Sequence, residues 1–129
     1  MIVVNSKEEL IELINKRIEA LDPNCDLNDI DVSKIDDMSY LFFYSPFNGD
    51  ISEWDVSNVK NMTAMFQCSD FNGDISDWNV SQVVDMGLMF YKSNFSGDIS
   101  GWNVSSVENM YCMFTKSPLH GNEPNWYKN

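Results

Sequence analysis

A 24-residue pattern recurs along this chain and constrains its fold more than any other feature. The clearest copy reads Phe-Asn-Gly-Asp-Ile-Ser-Glu-Trp-Asp-Val-Ser from Phe47, and the pattern begins again at Phe71, at Phe95 and, truncated, at Leu119. A fixed period of this length is typical of repeat proteins, in which each unit buries its apolar residues against its neighbours. The pattern therefore predicts a row of similar units in which equivalent side chains follow one another.

Apolar residues occupy equivalent positions in successive units. At this strict spacing a packed core is favoured over a ligand site, with Met filling irregular gaps. The equivalent sets are Ile30, Trp54, Trp78, Trp102 and Trp126; Val32, Val56, Val80 and Val104; Ile35, Val59, Val83 and Val107; Met38, Met62, Met86 and Met110; Leu41, Met65, Met89 and Met113; and Phe42, Phe66, Phe90 and Phe114.

Two different periodicities follow one another inside a unit. Trp54 and Val56 alternate with polar residues, as in a strand. Over residues 59–66 the apolar side chains lie three or four positions apart, which predicts one face of a short helix, and Ser57 stands where a hydroxyl caps such a helix. Gly-containing turns complete the unit, so that each unit reads as strand, turn, helix and turn.

Residues 1–26 lie outside the pattern and predict a cap, with a short strand at residues 2–4 and a helix after Ser6. Ser6 and Glu9 form a capping box, and apolar residues from Leu10 onward form a helical stripe that ends near Pro23. The alternative is a helix that binds a partner. The predicted organisation is the cap over 1–26 and the repeat region over 27–129, divided into 27–46, 47–70, 71–94, 95–118 and a truncated last unit, 119–129.

Composition limits the classes of protein that fit. A chain of 129 residues with 43% hydrophobic content fits one domain, and it holds no apolar run of the roughly 18 residues that span a bilayer. The N-terminus lacks the features of a signal peptide, which predicts a cytoplasmic location. Cys25, Cys68 and Cys112 form no C-x-x-C pair, so free thiols are expected rather than a disulfide framework or a zinc site.

The charge is strongly acidic, with a net value of −12 and a pI of about 4.1. Such a chain repels nucleic acid and anionic membranes, and it attracts basic partners. The alternative is that the acidic residues only keep the protein soluble.

The repeat resembles a known family. The run Phe-Asn-Gly-Asp-Ile-Ser-x-Trp-Asp/Asn-Val-Ser, followed by Val-x-x-Met-x-x-Met-Phe, is similar to the BspA-like leucine-rich repeat family, the mycoplasma-type surface lipoprotein repeat, over about residues 27–126. The resemblance implies an α/β repeat fold, a short right-handed leucine-rich-repeat-like solenoid with stacked parallel strands, here with an N-terminal helical cap. It also implies binding or adhesion and no catalytic residues.

Candidate partner-binding residues lie between the core positions of the predicted strands, where side chains face outward. The first row begins with Asp29, Glu53 and Asp77, and the second with Asp31, Asp55, Asn79 and Asn103; both rows carry acids in the earlier units and neutral residues in the later units. We expect them to bind Lys or Arg side chains of a partner, although duplication of the repeat explains their recurrence equally well. The predicted partner-binding residues are Asp29, Asp31, Glu53, Asp55, Asp77, Asn79 and Asn103.

Metal binding and catalysis find little support in the sequence. Asp50, Asp74 and Asp98 form a further acidic row, for which turn capping is favoured over calcium binding because no dense D-x-D-x-D loop is present. His120 is the only His and stands at a variable turn position with no predicted partner. No catalytic residue, metal ligand or cofactor is therefore predicted.

The function predicted from the sequence is that of a small, acidic, non-enzymatic protein that binds other proteins inside the cell. The specific hypothesis is a binder or inhibitor of a basic protein, including one that handles nucleic acid, such as a phage-type antagonist of host defence. The alternative is a surface or adhesion module of a bacterial BspA-like protein. The chain is expected to be a monomer or an end-to-end homodimer that contacts neither nucleic acid nor membrane directly.

Overall fold

A computed structural model describes residues 1–128; residue 129, which ends the predicted last unit, lies outside the described residues. Three regular elements are found in that range: strand β1 (Ile2–Val3), helix α1 (Lys7–Ala20) and strand β2 (Ile30–Asp31). The two strands pair in parallel, with Ile2 opposite Ile30 and Val3 opposite Asp31. The remainder of the described chain consists of turns, bends and single bridges.

Helix α1 begins where the sequence predicts it. The Ser6 hydroxyl oxygen accepts the N–H of Glu9 at 3.1 Å, which confirms the predicted N-cap, and the Glu9 carboxylate accepts the N–H of Asn5 at 2.9 Å. Leu10 and Ile14 lie one turn apart and are buried against the repeat region. The helix therefore covers the first unit with its apolar side.

The predicted fold, a leucine-rich-repeat-like solenoid of stacked parallel strands, is wrong. Within residues 1–128 successive units share only isolated parallel bridges, such as Asp37 with Asn61, Asn61 with Asp85 and Asp85 with Asn109. No helix occurs in any described unit, and the only two-stranded pairing joins the N-terminal segment to the first unit. The repeat is instead built from turns that hydrogen bond to the next unit.

The direction of the backbone N–H groups explains why residues 59–66 do not form the predicted helix. The N–H groups of Met62, Ala64 and Phe66 donate at 2.9 Å to carbonyls of the next unit, at Asp85, Gly87 and Met89. Of the intervening N–H groups, that of Met65 closes a turn on the Met62 carbonyl three residues earlier, and that of Thr63 donates to the Asn61 side-chain oxygen. An α-helix needs every N–H for its own i−4 carbonyl, so this sharing between units excludes it. The Ser57 hydroxyl donates to Asp55 and caps no helix.

The core follows the apolar sets of the sequence. Aromatic rings at equivalent positions lie parallel, with centroids 5.5 Å apart between Phe42 and Phe66 and 5.6 Å apart between Phe66 and Phe90. A second row, from Phe47 to Phe71 to Phe95, has spacings of 6.1 and 6.3 Å. Ring faces at these distances contribute contact energy in addition to the burial of their area.

Burial decreases at the C-terminal end of the row. Val59 and Val83 are fully buried, whereas the equivalent Val107 is only half-buried. Met110 is likewise half-buried although Met62 and Met86 are fully buried. The list of half-buried core positions in this region is Val104, Val107, Met110, Leu119, Trp126 and Tyr127. The last described residues therefore cover only part of the fourth unit, 95–118.

Candidate acidic docking surface

An exposed acidic surface runs along three successive units, and we call it the acidic face. The segments 47–59, 71–83 and 95–107 contain no Lys, Arg or His. A carboxylate there has no cation within its own segment, and none of the ion pairs found within residues 1–128 involves one. The acidic face consists of Asp50, Glu53, Asp55, Asp74, Asp77 and Asp98, all exposed.

Buried residues on either side hold these acids outward. Ile51, Trp54 and Val56 are each 4% exposed or less; Glu53 and Asp55 lie between them, and Asp50 directly precedes Ile51. The Trp78 indole N–H donates to the Ile51 carbonyl at 3.1 Å, which ties this segment to the equivalent segment of the next unit. The buried side chains and this hydrogen bond therefore hold the backbone in place, and the carboxylates project from it into solvent.

Asp50, Asp74 and Asp98 cap turns, as predicted. Each carboxylate accepts the backbone N–H and the hydroxyl of the Ser two residues later; for Asp74 and Ser76 the distances are 2.9 and 2.7 Å. The Ser76 hydroxyl and N–H hold the pKa of Asp74 below its ordinary value, against a small opposing effect of burial and of Asp50. These carboxylates remain ionised at mildly acidic pH. Sequence reasoning assigned them no binding role, although their outward alternation matches that of Glu53.

The predicted binding residues of the second row have a turn role as well. Asp31 and Asp55 accept the N–H groups of Ser33 and Ser57, at 2.9 and 3.0 Å. Asn79 and Asn103 do the same for Ser81 and Ser105, each at 3.1 Å. Their recurrence therefore has a structural explanation, because Asx turns need a side-chain oxygen at these positions.

Glu53 and Asp77 differ from the second row. Both are exposed, and neither carboxylate makes a hydrogen bond or ion pair with any residue in the range 1–128. Their charge is available to a partner without the loss of an existing contact.

Asp29 forms an ion pair within the chain, and the sequence analysis did not predict this pair. The Arg17 guanidinium of α1 donates to both of its carboxylate oxygens, at 2.9 and 2.8 Å. This contact lowers the pKa of Asp29. Because the rotation of α1 about its own axis sets this pairing, residue spacing alone gave no signal for it.

Glu123 adds a carboxylate at the C-terminal end of the acidic face. It lines a cleft of about 380 Å³ together with Asp98, Ser100 and Asn122. Its side chain accepts the N–H of Gly121 at 3.0 Å, and its pKa is lowered by that bond. Glu123 stands at the position of Ile51, Ile75 and Ile99, a core position in the full units, which is why the outward rows did not include it.

Residues 1–128 contain no group of three or more His, Cys, Asp or Glu side chains arranged to hold a metal ion. The three cysteines are free, as predicted, with Cys25 buried and the other two half-buried. No helix in the described part of the chain has the length and apolarity to cross a membrane.

Comparison with known proteins identifies a family and nothing more specific. A family described as "Mycoplasma protein of unknown function, DUF285" matches residues 11–126. This agrees in coarse terms with the predicted BspA-like, mycoplasma-type resemblance. No curated protein and no solved structure matches the chain. Because the match extends over most of the sequence, the chain belongs to this Mycoplasma-associated DUF285 family of unknown function.

Proposed function

We propose that this chain is a non-enzymatic protein-binding module whose acidic face binds Lys and Arg side chains of a basic partner. The observation that carries the proposal is the combination of six exposed acids with the absence of any cation from the three segments that bear them. Glu53 and Asp77 form the centre of the proposed surface, since their carboxylates are not used within the described chain.

Electrostatics supports a basic partner over a neutral one. Equivalent acids on adjacent units carry like charges, and two such charges about 4 Å apart repel each other by about 1 kcal/mol even with the dielectric constant of water. A bound Lys or Arg between two such acids relieves this repulsion and adds an attraction. A surface of one sign also speeds encounter with a partner of the opposite sign.

The chemistry of the face favours partners that bind phosphate. Carboxylates spaced along a row offer acceptors to the same Arg and Lys side chains that contact a nucleic-acid backbone. A nucleic-acid-handling protein is therefore the proposed class of partner, and occupation of its basic surface is the proposed mode of inhibition. A surface or adhesion module is the second candidate, and the likeness to BspA-like surface proteins favours it.

The test compares two variants with the same change in charge. E53Q/D55N/D77N alters the acidic face, and E8Q/E12Q/E19Q alters exposed positions of α1; each brings the net charge from −12 to −9. Binding to a short oligo-arginine peptide and to proteins retained from a lysate is titrated from about 50 to about 500 mM NaCl.

We expect the first variant to weaken binding about tenfold, because three exposed ion pairs contribute roughly 0.5 kcal/mol each. Its affinity should also depend less steeply on salt than that of the unmodified chain. The α1 variant should bind nearly as well as the unmodified chain. Equal losses in the two variants would show that net charge, and not the acidic face, attracts the partner.

A further inference from the structure

A groove of about 300 Å³ lies between helix α1 and the first unit, and we call it the cap groove. Its wall on the helix side consists of Ile11, Ile14 and Asn15, and its wall on the unit side consists of residues 40–41 and 43–46. None of these residues is charged, although the chain contains 20 acids. The cap groove is therefore complementary to an uncharged ligand, unlike the acidic face.

Two main-chain carbonyls on the unit side of the cap groove, those of Leu41 and Phe43, accept no hydrogen bond within residues 1–128. In each later unit the equivalent carbonyls accept N–H groups of the preceding unit at 2.9 to 3.0 Å; they belong to Met65, Met89 and Met113 and to Gln67, Tyr91 and Thr115. On the corresponding side of the first unit lies α1, and a helix uses its N–H groups for its own carbonyls. The Leu41 and Phe43 carbonyls therefore remain as acceptors beside the groove.

Aromatic side chains border these two carbonyls and remain exposed. Tyr40, Phe43 and Tyr44 are 51%, 41% and 68% exposed, so α1 does not bury them. The Phe43 ring packs edge-on against the other two, with ring centroids 5.4 Å from Tyr40 and 4.6 Å from Tyr44. Aromatic side chains offer a large contact area at a low cost in conformational entropy. The groove thus combines apolar contact area with main-chain acceptors.

Duplication of the repeat does not account for these aromatic residues. The later units have Ala64, Leu88 and Cys112 at the position of Tyr40, Gln67, Tyr91 and Thr115 at that of Phe43, and Cys68, Lys92 and Lys116 at that of Tyr44. Among these four units, only the unit that borders α1 has an aromatic residue at all three positions. The aromatic cluster is therefore a feature of the cap groove and not of the repeat.

We infer that the cap groove binds an uncharged segment of a partner protein, whose main-chain N–H groups at alternate residues donate to the Leu41 and Phe43 carbonyls. The apolar side chains of that segment would lie against Tyr40, Phe43 and Tyr44. The alternate spacing follows from the two carbonyls, which are two residues apart. Addition of a main chain to an unpaired edge is a general mode of peptide recognition. This site is independent of the acidic face, because hydrogen bonds to the main chain and apolar contact provide the binding.

The probe is a synthetic peptide of residues 62–68, capped at both ends and with Ser in place of Cys68. The segment is uncharged, and in the folded chain its Phe66 and Cys68 N–H groups donate at 2.9 Å to the equivalents of the Leu41 and Phe43 carbonyls. It is added to the full chain, and the carbonyl ¹³C resonances are followed by NMR. Those of Leu41 and Phe43 should move downfield as their oxygens accept hydrogen bonds. The affinity should be the same at about 50 and about 500 mM NaCl, unlike that of a ligand of the acidic face.

Two comparisons separate main-chain recognition from aromatic contact. The peptide methylated on the nitrogens of residues 66 and 68 lacks both donors and should bind about tenfold more weakly. Tyr44→Ala in the protein should weaken binding roughly fivefold or more, because a ring that contacts the peptide is lost. Tyr111→Ala is the matched control, since Tyr111 is 70% exposed and does not line the groove. It should bind the peptide as the unmodified chain does.

Four results would overturn the inference. Three are unchanged Leu41 and Phe43 resonances at the highest soluble peptide concentration, equal affinity of the methylated peptide, and equal losses from the two Tyr variants. The fourth is a free chain in which both carbonyls already have the shifts of hydrogen-bonded groups. If those shifts grow with protein concentration, a second copy fills the groove; if they do not, another part of the same polypeptide fills it. None of these results bears on the acidic face, which is tested by salt dependence.

Discussion

The indole N–H of each repeat Trp links two units through a single hydrogen bond. Trp54, Trp78 and Trp102 donate to the carbonyls of Leu27, Ile51 and Ile75 at 2.9 to 3.1 Å, and all three indoles are buried. A buried carbonyl without a donor costs more than the bond itself contributes. The side chain at this position therefore supplies both apolar area and a hydrogen-bond donor, and Phe would supply only the apolar area.

The first prediction concerns Trp78→Phe. We expect this change to lower the free energy of unfolding by about 1–3 kcal/mol from the unpaired Ile51 carbonyl, with a further loss from the reduced ring volume. Urea denaturation followed by circular dichroism measures it. Trp126→Phe is the control, because Trp126 makes the same bond to Ile99 but is half-buried, so that water can replace the donor. Equal losses at the two positions would show that the hydrogen bond is not what makes Trp78 important.

At the scale of the element, each unit is built from turns with two non-Gly residues in the left-handed region. These residues recur at equivalent places, for example Ala64 and Cys68 in the second unit and Leu88 and Lys92 in the third. L-residues in this conformation cost of the order of 1 kcal/mol each, which the bonds to the next unit offset. The turn is therefore stable only as part of the row.

The second prediction uses Gly to distinguish this turn from a helix. Lys92 is exposed and has φ of 56°, so Lys92→Gly should leave the free energy of unfolding unchanged or raise it by up to about 1 kcal/mol. Loss of the Lys92 ammonium from its place 5.4 Å from the Tyr91 ring centre offsets part of this gain.

The control is Lys60→Gly, at an exposed position where φ is not positive. This change should lower the free energy of unfolding by about 0.5–1 kcal/mol. Guanidinium denaturation of the two variants measures the difference. Similar losses at both positions would contradict the turn conformation at Lys92, since Gly in a helix interior costs about 1 kcal/mol.

At the scale of the whole molecule, like charges repel along the row of units. The net charge is −12, and three ion pairs are present in the described chain: Lys7 with Asp37, Lys16 with Glu12, and Arg17 with Asp29. All three involve residues of α1, so the units after the first rely on solvent and salt to screen their acids. Folding brings these acids together, and self-repulsion lowers the stability of the folded state.

The third prediction is that salt stabilises this protein. Raising NaCl from about 10 to about 150 mM shortens the Debye length from about 30 to about 8 Å, so the Tm at pH 7 should rise by several degrees. Differential scanning calorimetry measures it. The E53Q/D55N/D77N variant should show a smaller rise, because part of the repulsion is already removed. A Tm that falls with salt would mean that the ion pairs of α1 outweigh the repulsion.

The spacing of apolar residues predicted most of the side chains that form the core. It predicted the wrong backbone conformation for them, a helix instead of turns. Met62 and Phe66 lie four residues apart and face the same side, which a helix produces. Turns closed on the carbonyl three residues earlier, with Ala64 and Cys68 in the left-handed region, give the same sidedness. The spacing of apolar residues indicates only which side chains face the same side. Both an α-helix and this series of turns place Met62 and Phe66 on one side, so the spacing does not distinguish the two backbones.

In the acidic face, too, some features follow from the local sequence and others only from tertiary packing. The outward positions of Glu53 and Asp77 and the turn role of Asp74 follow from local pattern, because alternation and Asx chemistry act over two or three residues. The pairing of Arg17 with Asp29 and the place of Glu123 beside Asp98 do not follow from it. Both depend on how a terminal segment packs against the repeat.

What the sequence determined by itself is the period, the buried sets, the N-cap of α1 and the acidic character of one surface, all of which arise from residue type and short-range spacing. The tertiary structure alone decided that the repeat is turns rather than strands and helices. It also decided which acids form ion pairs. The physical reason is that the N–H groups of Met62 and Ala64 donate to carbonyls of the next unit. Local helix and strand propensities carry no information about hydrogen bonds between residues that are 23 positions apart in the sequence.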